Sequence, residues 1–223
     1  MSALIIDCET TGFDEPEPIE VAWMNVPEPK MLYEITEIPT FRFKPSKPIS
    51  LGALATHHIL DEELANCAPF REFSFPDGVE FIIGHNVDFD WKALGSPAIK
   101  RICTCALSRW LWPDADSHSL GAMIYLHHRD DAKEWLLDSH VAAHDVANTR
   151  SLLGTIIESL PRDLLSWGDL WLFSEEARIP KIMPFGKHKG LPLHEVPRDY
   201  VSWLLRQSDV DPYLVKALKG GRP

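Results

Sequence analysis

Disulfides, zinc staples and membrane anchors all lack raw material in this chain. Its four cysteines among 223 residues (Cys8, Cys67, Cys103 and Cys105) are too few and too scattered for a disulfide scaffold or a paired C-x-x-C zinc site, and they read as core or incidental thiols. Cys103 and Cys105 are one residue apart, so a strand through both would put the thiols on one face without the further ligands of a closed zinc site. No segment reaches the roughly 20 consecutive apolar residues of a membrane helix. The opening residues Met1 to Asp7 carry no basic n-region and meet an acid too early for a secretory signal, so the expectation is a cytoplasmic protein with no membrane association. Internal repeats and low-complexity tracts are missing too. Basic residues are the minority, 22 Lys and Arg against 33 Asp and Glu, and the net charge of −11 argues at first sight against a polyanionic partner.

What is present is ordinary globular material, 45% hydrophobic and 25% charged, enough for one full-sized domain and a small second one. The charge is unevenly spread. From Arg178 onward nine basic residues face four acidic ones (+5), leaving thirteen against twenty-nine (−16) in the preceding part. That asymmetry predicts two modules, residues 1–177 and 178–223, with the boundary in the polar stretch Ser174 to Arg178. A strongly acidic module is reasonable if it carries a carboxylate cluster compensated by bound cations.

Leu4 to Asp7 reads as a buried strand emptying into the turn-forming Thr10-Thr11-Gly12. Ile19 to Val26 and Tyr33 to Phe43 look like further strands of an antiparallel meander, bounded by prolines. The run Phe81 to Gly84 then leads to a helix over Asp88 to Leu94, and Arg101 to Ala106 reads as a strand entering a helix over Leu107 to Trp112. From Asp145, the apolar spacing of Val146, Leu153, Ile156, Ile157 and Leu160 predicts an amphipathic helix that stops at Pro161, and another helix is expected over Asp163 to Phe173. A meander followed by strand–helix alternation predicts an α/β fold, a mixed sheet flanked by helices.

Asp7 and Glu9 stand at i and i+2, so on a strand both carboxylates project from one face, with Cα atoms roughly 6.8 Å apart. Two acids at the mouth of an apolar strand repel one another unless a cation compensates them. Asp90 lies just past a second apolar strand. His140 and Asp145 lie at the start of the best-patterned helix. Strand ends and helix starts are where the loops of an α/β sheet gather into sites.

Three motifs in order, D-x-E-x-T-G (Asp7 to Gly12), H-N-x-x-F-D (His85 to Asp90) and H-x-A-x-x-D (His140 to Asp145), resemble those of the DEDDh superfamily of 3′→5′ exonucleases, which has a ribonuclease H-like fold. The resemblance implies that Asp7, Glu9, Asp90 and Asp145 hold two divalent cations, Mg2+ with Mn2+ able to substitute. It implies that His140 takes the proton of the attacking water, and that Thr10, Thr11 and Gly12 grip the terminal nucleotide. Phe13 becomes a candidate for stacking on a base, against the alternative of an ordinary core ring. His57, in a segment similar to the superfamily's I-H-x-I, would lie near the substrate, with a packed histidine at a helix end as the competing reading. The tryptophans, Trp167 and Trp171 among them, read as core residues rather than stacking platforms.

Within the superfamily the resemblance is strongest to one DNA exonuclease and covers nearly the whole chain, including the tail Phe185-Gly186-Lys187-His188-Lys189-Gly190. The tail reads as a basic turn between short strands, with Lys187 and Lys189 candidates for phosphate contacts or for solvated residues of a docking module. The implied activity is release of nucleoside 5′-monophosphates from DNA 3′ ends in a DNA-repair setting. An RNA-trimming enzyme of the same superfamily and a non-catalytic subunit that binds nucleic-acid ends are the alternatives.

Overall fold

The computed structural model describes residues 2–34, 36–137, 139–160 and 166–220. Two compact units divide the chain, Met1–Ser174 and Glu175–Pro223.

The first unit is built on a mixed sheet of five strands: β1 (Ser2–Thr10), β2 (Pro18–Val26), β3 (Thr40–Arg42), β4 (Val79–Gly84) and β5 (Lys100–Cys103), in the spatial order β3-β2-β1-β4-β5. β1 is central, antiparallel to β2 and parallel to β4. Its apolar run Ala3 to Ile6 is buried on both faces, as a strand covered from two sides must be, and the run ends where Asp7 begins the polar mouth. Between β3 and β4 lies α1 (Leu51–His57), whose N-cap Ser50 accepts the Ala53 N–H at 3.3 Å. Then come α2 (Asp88–Ala93) after β4, and α3 (Thr104–Leu111), α4 (Leu120–His127), α5 (Arg129–Trp135), α6 (Ala142–Ser159) and α7 (Trp167–Ala177) after β5. The long α6 packs on β1 and β2, and Val146, Leu152, Leu153 and Ile156 bury its apolar stripe.

The mixed sheet flanked by helices is the expected architecture, with local differences. The strand expected over Tyr33 to Phe43 is reduced to Thr40–Arg42, an exposed edge strand. Pro39 lacks the N–H that pairing would need, while its carbonyl accepts the Trp23 N–H at 3.3 Å. The helix expected from Leu107 begins at Thr104 instead. Thr104 turns its hydroxyl onto the Gly84 carbonyl at 3.2 Å, so Cys103 ends β5 while Cys105 is helical, and the two thiols share no sheet face. All four cysteines are free. α6 begins three residues before Asp145. Of the helix expected from Asp163, residues 161–165 lie outside the described residues, and α7 runs past Phe173 to Ala177.

The second unit carries α8 (Arg198–Leu204), α9 (Pro212–Gly220) and two 3-10 turns, Gly186–His188 and Leu193–Glu195. Its core is Met183, Val196, Val201, Leu204, Leu214 and Leu218. The basic turn is not flanked by strands: among the described residues a single bridge between Ile182 and Pro192 closes it. Pro184 and Pro192 withhold two N–H groups that a longer ladder would use. Among the described residues no helix is long and apolar enough to cross a membrane.

Candidate active site

The site grows from the end of β1. Asp7 is half-buried and Glu9 buried on the same face of the strand, because residues two apart in a strand point the same way. Asp90, in the first turns of α2, reaches back to β1 and accepts the Cys8 N–H at 3.1 Å, which anchors its carboxylate on the β1 backbone. Asp145 sits in the first turn of α6, and its Oδ2 accepts the His140 N–H at 3.2 Å. His140 itself holds a left-handed backbone (φ 66°), an unfavourable conformation for a residue with a Cβ that commonly accompanies a functional constraint. Ligand atoms of Glu9, His140 and Asp145 all lie within 4.8 Å of one another, a set that could hold a metal ion.

The electrostatics of this cluster are costly without a cation. Burial, and then the charges of Asp145, Glu20 and Asp90, push the Glu9 carboxyl from its ordinary 4.5 up to about 8. Burial raises Asp90 to about 7 even though the Cys8 N–H bond favours its charged form. Asp7 is raised well above the carboxylate range by burial, then by Asp90, Asp145, Glu9 and Glu20. Asp145 is raised by burial and partly relieved by the charge of His140. Four carboxylates gathered at one strand end, Glu9 and Asp90 buried and Asp7 and Asp145 half-buried, are the oxygen-donor chemistry that hard divalent cations select.

A residue not singled out from the sequence completes the arrangement. Glu20 on β2 lies opposite Glu9 and is only 2% exposed. Its two oxygens accept the Arg42 Nε–H at 2.7 Å and the Ala142 N–H, the first of α6, at 3.3 Å. It therefore ties β3 and the start of α6 to the strand beside β1, and its charge faces the helix N-terminus where a carboxylate is favoured. The signal in the sequence was an acid inside the apolar run Ile19 to Val26.

The other candidate residues divide by surroundings. Thr10 and Thr11 are buried, with the Thr10 hydroxyl donating to the Gly12 carbonyl at 3.2 Å and the Thr11 hydroxyl accepting the Glu17 N–H at 3.2 Å. Gly12 has φ 141°, and a Cβ there would stand 2.7 Å from the Ser50 hydroxyl, so only glycine closes this turn. Phe13 is 92% exposed and touches Phe89 edge-on with centroids 5.7 Å apart, which rules out the core-ring reading. His57 is buried: its Nδ1 accepts the Ile59 N–H at 3.0 Å, so the protonated Nε2 faces the Thr10 carbonyl at 3.3 Å. Both ring nitrogens are thus engaged, Nε2 with the end of β1 and Nδ1 with the backbone just past α1, and burial lowers the pKa of His57, favouring this neutral form. His85 is a similar pin, its ring between the Thr104 hydroxyl at 3.0 Å and the His118 carbonyl at 2.8 Å. Lys187 and Lys189 are exposed on the second unit.

An acidic cluster at the end of the central strand of a mixed sheet, completed from two helix starts, is a site suited to divalent cations on an α/β fold. A family model described as Exonuclease matches residues 4–153, and the chain belongs to the exonuclease family. Among curated relatives, exodeoxyribonuclease 10 of Escherichia coli K12 is 30% identical over 227 aligned positions, covering 96% of each chain. A solved structure of exonuclease X in complex with 5′-overhanging duplex DNA superposes with a TM-score of 0.60 at 26% identity, over 76% of this chain and 99% of the other. The zinc-bound form of an E. coli exonuclease I complex with single-stranded DNA shares the fold, with a TM-score of 0.61 at 17% identity over 94% of this chain and 60% of that one. A second family model, described as a putative quorum-sensing-regulated virulence factor, matches residues 176–210.

Proposed function

We propose that the chain is a divalent-cation-dependent 3′→5′ exodeoxyribonuclease that releases nucleoside 5′-monophosphates from DNA ends. The observation that carries this reading is the meeting of Glu9, His140 and Asp145 within 4.8 Å beside an Asp90 pinned to the Cys8 N–H. Asp7, Glu9, Asp90 and Asp145 would hold two Mg2+ ions, with Mn2+ able to substitute. When bound, such cations neutralise the buried carboxylates and stabilise charge on the oxygens of a phosphodiester undergoing in-line displacement.

The remaining work falls to the protein's own groups. His140, exposed beside two acids, accepts a proton from the attacking water; that water's oxygen bonds to phosphorus as the bond to the 3′-oxygen of the penultimate nucleotide breaks. The shortened strand keeps a 3′-hydroxyl once that oxygen is protonated. The turn Thr10-Thr11-Gly12, held by Ser50 and Glu17, offers a rigid backbone edge to the terminal nucleotide. Phe13 presents a solvent-facing ring to a base, for which the edge contact from Phe89 supplies support. DNA as substrate is supported by the relatives named exodeoxyribonuclease and exonuclease X, the latter bound to duplex DNA.

The test is digestion of DNA and RNA oligonucleotides of one sequence in Mg2+ and in EDTA. Mononucleotides from DNA in Mg2+, and none in EDTA, are expected. Faster release from RNA would make the chain an RNA-trimming enzyme, and end binding with no release in Mg2+ or Mn2+ would make it a non-catalytic subunit.

A further inference from the structure

The core of the second unit closes over Val201 and Leu204 of α8, with Tyr200 half-buried against its edge and Trp203 left to solvent. Trp203 is 47% exposed, and its ring lies 5.4 Å from that of Tyr200, one helical turn away. The Tyr200 ring in turn lies 4.6 Å from that of His188, in the 3-10 turn Gly186–His188. Lys187 and Lys189, both exposed, flank that histidine in the chain. Gly186 allows the turn to come this close: it has φ 73°, and a Cβ there would stand 2.5 Å from the Tyr200 hydroxyl. Three rings in a row therefore start between two lysines.

A surface tryptophan that the core does not use leaves apolar area in water, and the basic tail of this acidic chain, residues 178–223 at +5, displays it. Cations beside a row of rings match the alternating phosphates and bases of an unpaired strand, where every base offers a face to stack and every linkage a negative charge. We infer that His188, Tyr200 and Trp203, with Lys187 and Lys189, form a binding platform for single-stranded nucleic acid, separate from the carboxylate cluster. The inference rests on the exonuclease reading, and it adds that the unpaired part of the substrate is held by the small unit. A duplex, whose bases are stacked inward, fits the rings poorly.

The experiment measures binding of the full chain in EDTA to fluorescent oligo-dT of 20 nucleotides and to a blunt duplex. Trp203→Ala is expected to weaken binding of the 20-mer about 5- to 100-fold, the range for losing one stacked base. Binding of the duplex should change far less. Trp203→Tyr keeps a ring and should stay within about threefold of wild type, which separates stacking from damage to the unit. Lys187→Glu with Lys189→Glu should lower the magnitude of the salt slope for the 20-mer by about 1–2, at roughly 0.7 per single-strand phosphate. If Trp203→Ala binds the 20-mer as tightly as wild type, or if the duplex loses as much as the 20-mer, the platform is overturned. A surface serving a protein partner would give the first of those results. Mg2+-dependent digestion by wild type is scored separately: its failure removes the exonuclease reading, whatever the binding shows.

Discussion

Glu9→Gln should make the cation-free protein more stable and the cation-loaded protein useless. In the folded chain Glu9 keeps its proton up to about pH 8 against an ordinary 4.5, because it is buried and faces Asp145, Glu20 and Asp90. A carboxyl raised on folding contributes no penalty below its unfolded pKa, and its cost grows as pH rises from about 4.5 through about 8, since the unfolded chain releases the proton first. At about 1.4 kcal/mol per pH unit the ceiling is about 5 kcal/mol at pH 8. Asp90, which titrates near 7, and the raised Asp7 and Asp145 share the same repulsion, so removing one charge is expected to recover about 1–3 kcal/mol of it. For a chain of this size that is about 2–10 °C in melting temperature. The assay is thermal unfolding of wild type and Glu9→Gln in EDTA at pH 5, 6.5 and 8, repeated with millimolar Mg2+. The variant should gain most at pH 8 and little at pH 5, while Mg2+ raises the wild type more than the variant. A variant less stable than wild type in EDTA at pH 8, or a gain that does not depend on pH, would refute the reasoning.

Asp7→Asn or Asp145→Asn should abolish turnover while leaving circular dichroism unchanged, and near wild-type rates at millimolar Mg2+ in either would remove the two-cation assignment. His140→Ala should lower the rate by about 10²–10⁴-fold and flatten its rise on the acid side of neutrality, with titrated Mn2+ binding retained; an unchanged pH–rate profile would assign the limiting proton transfer elsewhere. Glu20→Ala leaves the Ala142 N–H without its carboxylate and Arg42 with only Glu63, and should cost about 1.5–3 kcal/mol in urea unfolding, together with a lower turnover rate as the His140–Asp145 segment loosens. Full stability in that variant would show that the start of α6 needs no tie to β2.

The catalytic candidates were legible in the sequence because three motifs occur in order, each where an acid interrupts or opens a patterned element. Asp7 and Glu9 break an apolar strand that is buried on both faces, and Asp145 stands near the start of a helix whose stripe at Val146, Leu153 and Ile156 has a clear period. Glu20 also interrupts an apolar strand, but its meaning depends on pairing register: only when β2 runs antiparallel to β1 does it fall opposite Glu9 and within reach of Ala142. α4 is apolar nearly all round and α5 is mostly charged, so neither shows the one-sided stripe that marks a helix in sequence, and both went unread. Phe13 and His57 illustrate the same limit for single residues. Composition treats a phenylalanine as core and a histidine near a site as available, yet the ring of Phe13 lies in solvent while both nitrogens of His57 are occupied.

The central claim, that the carboxylate cluster removes nucleotides from 3′ ends, is tested most directly by following one DNA oligonucleotide carrying its label at either end, with wild type and Asp145→Asn in Mg2+. With wild type, the 5′-labelled strand should shorten as a ladder one nucleotide at a time, while the 3′-labelled strand yields labelled mononucleotide from the first moments. Asp145→Asn should give neither. A ladder from the 3′-labelled strand, internal cuts in both, or undiminished release by Asp145→Asn would contradict the account.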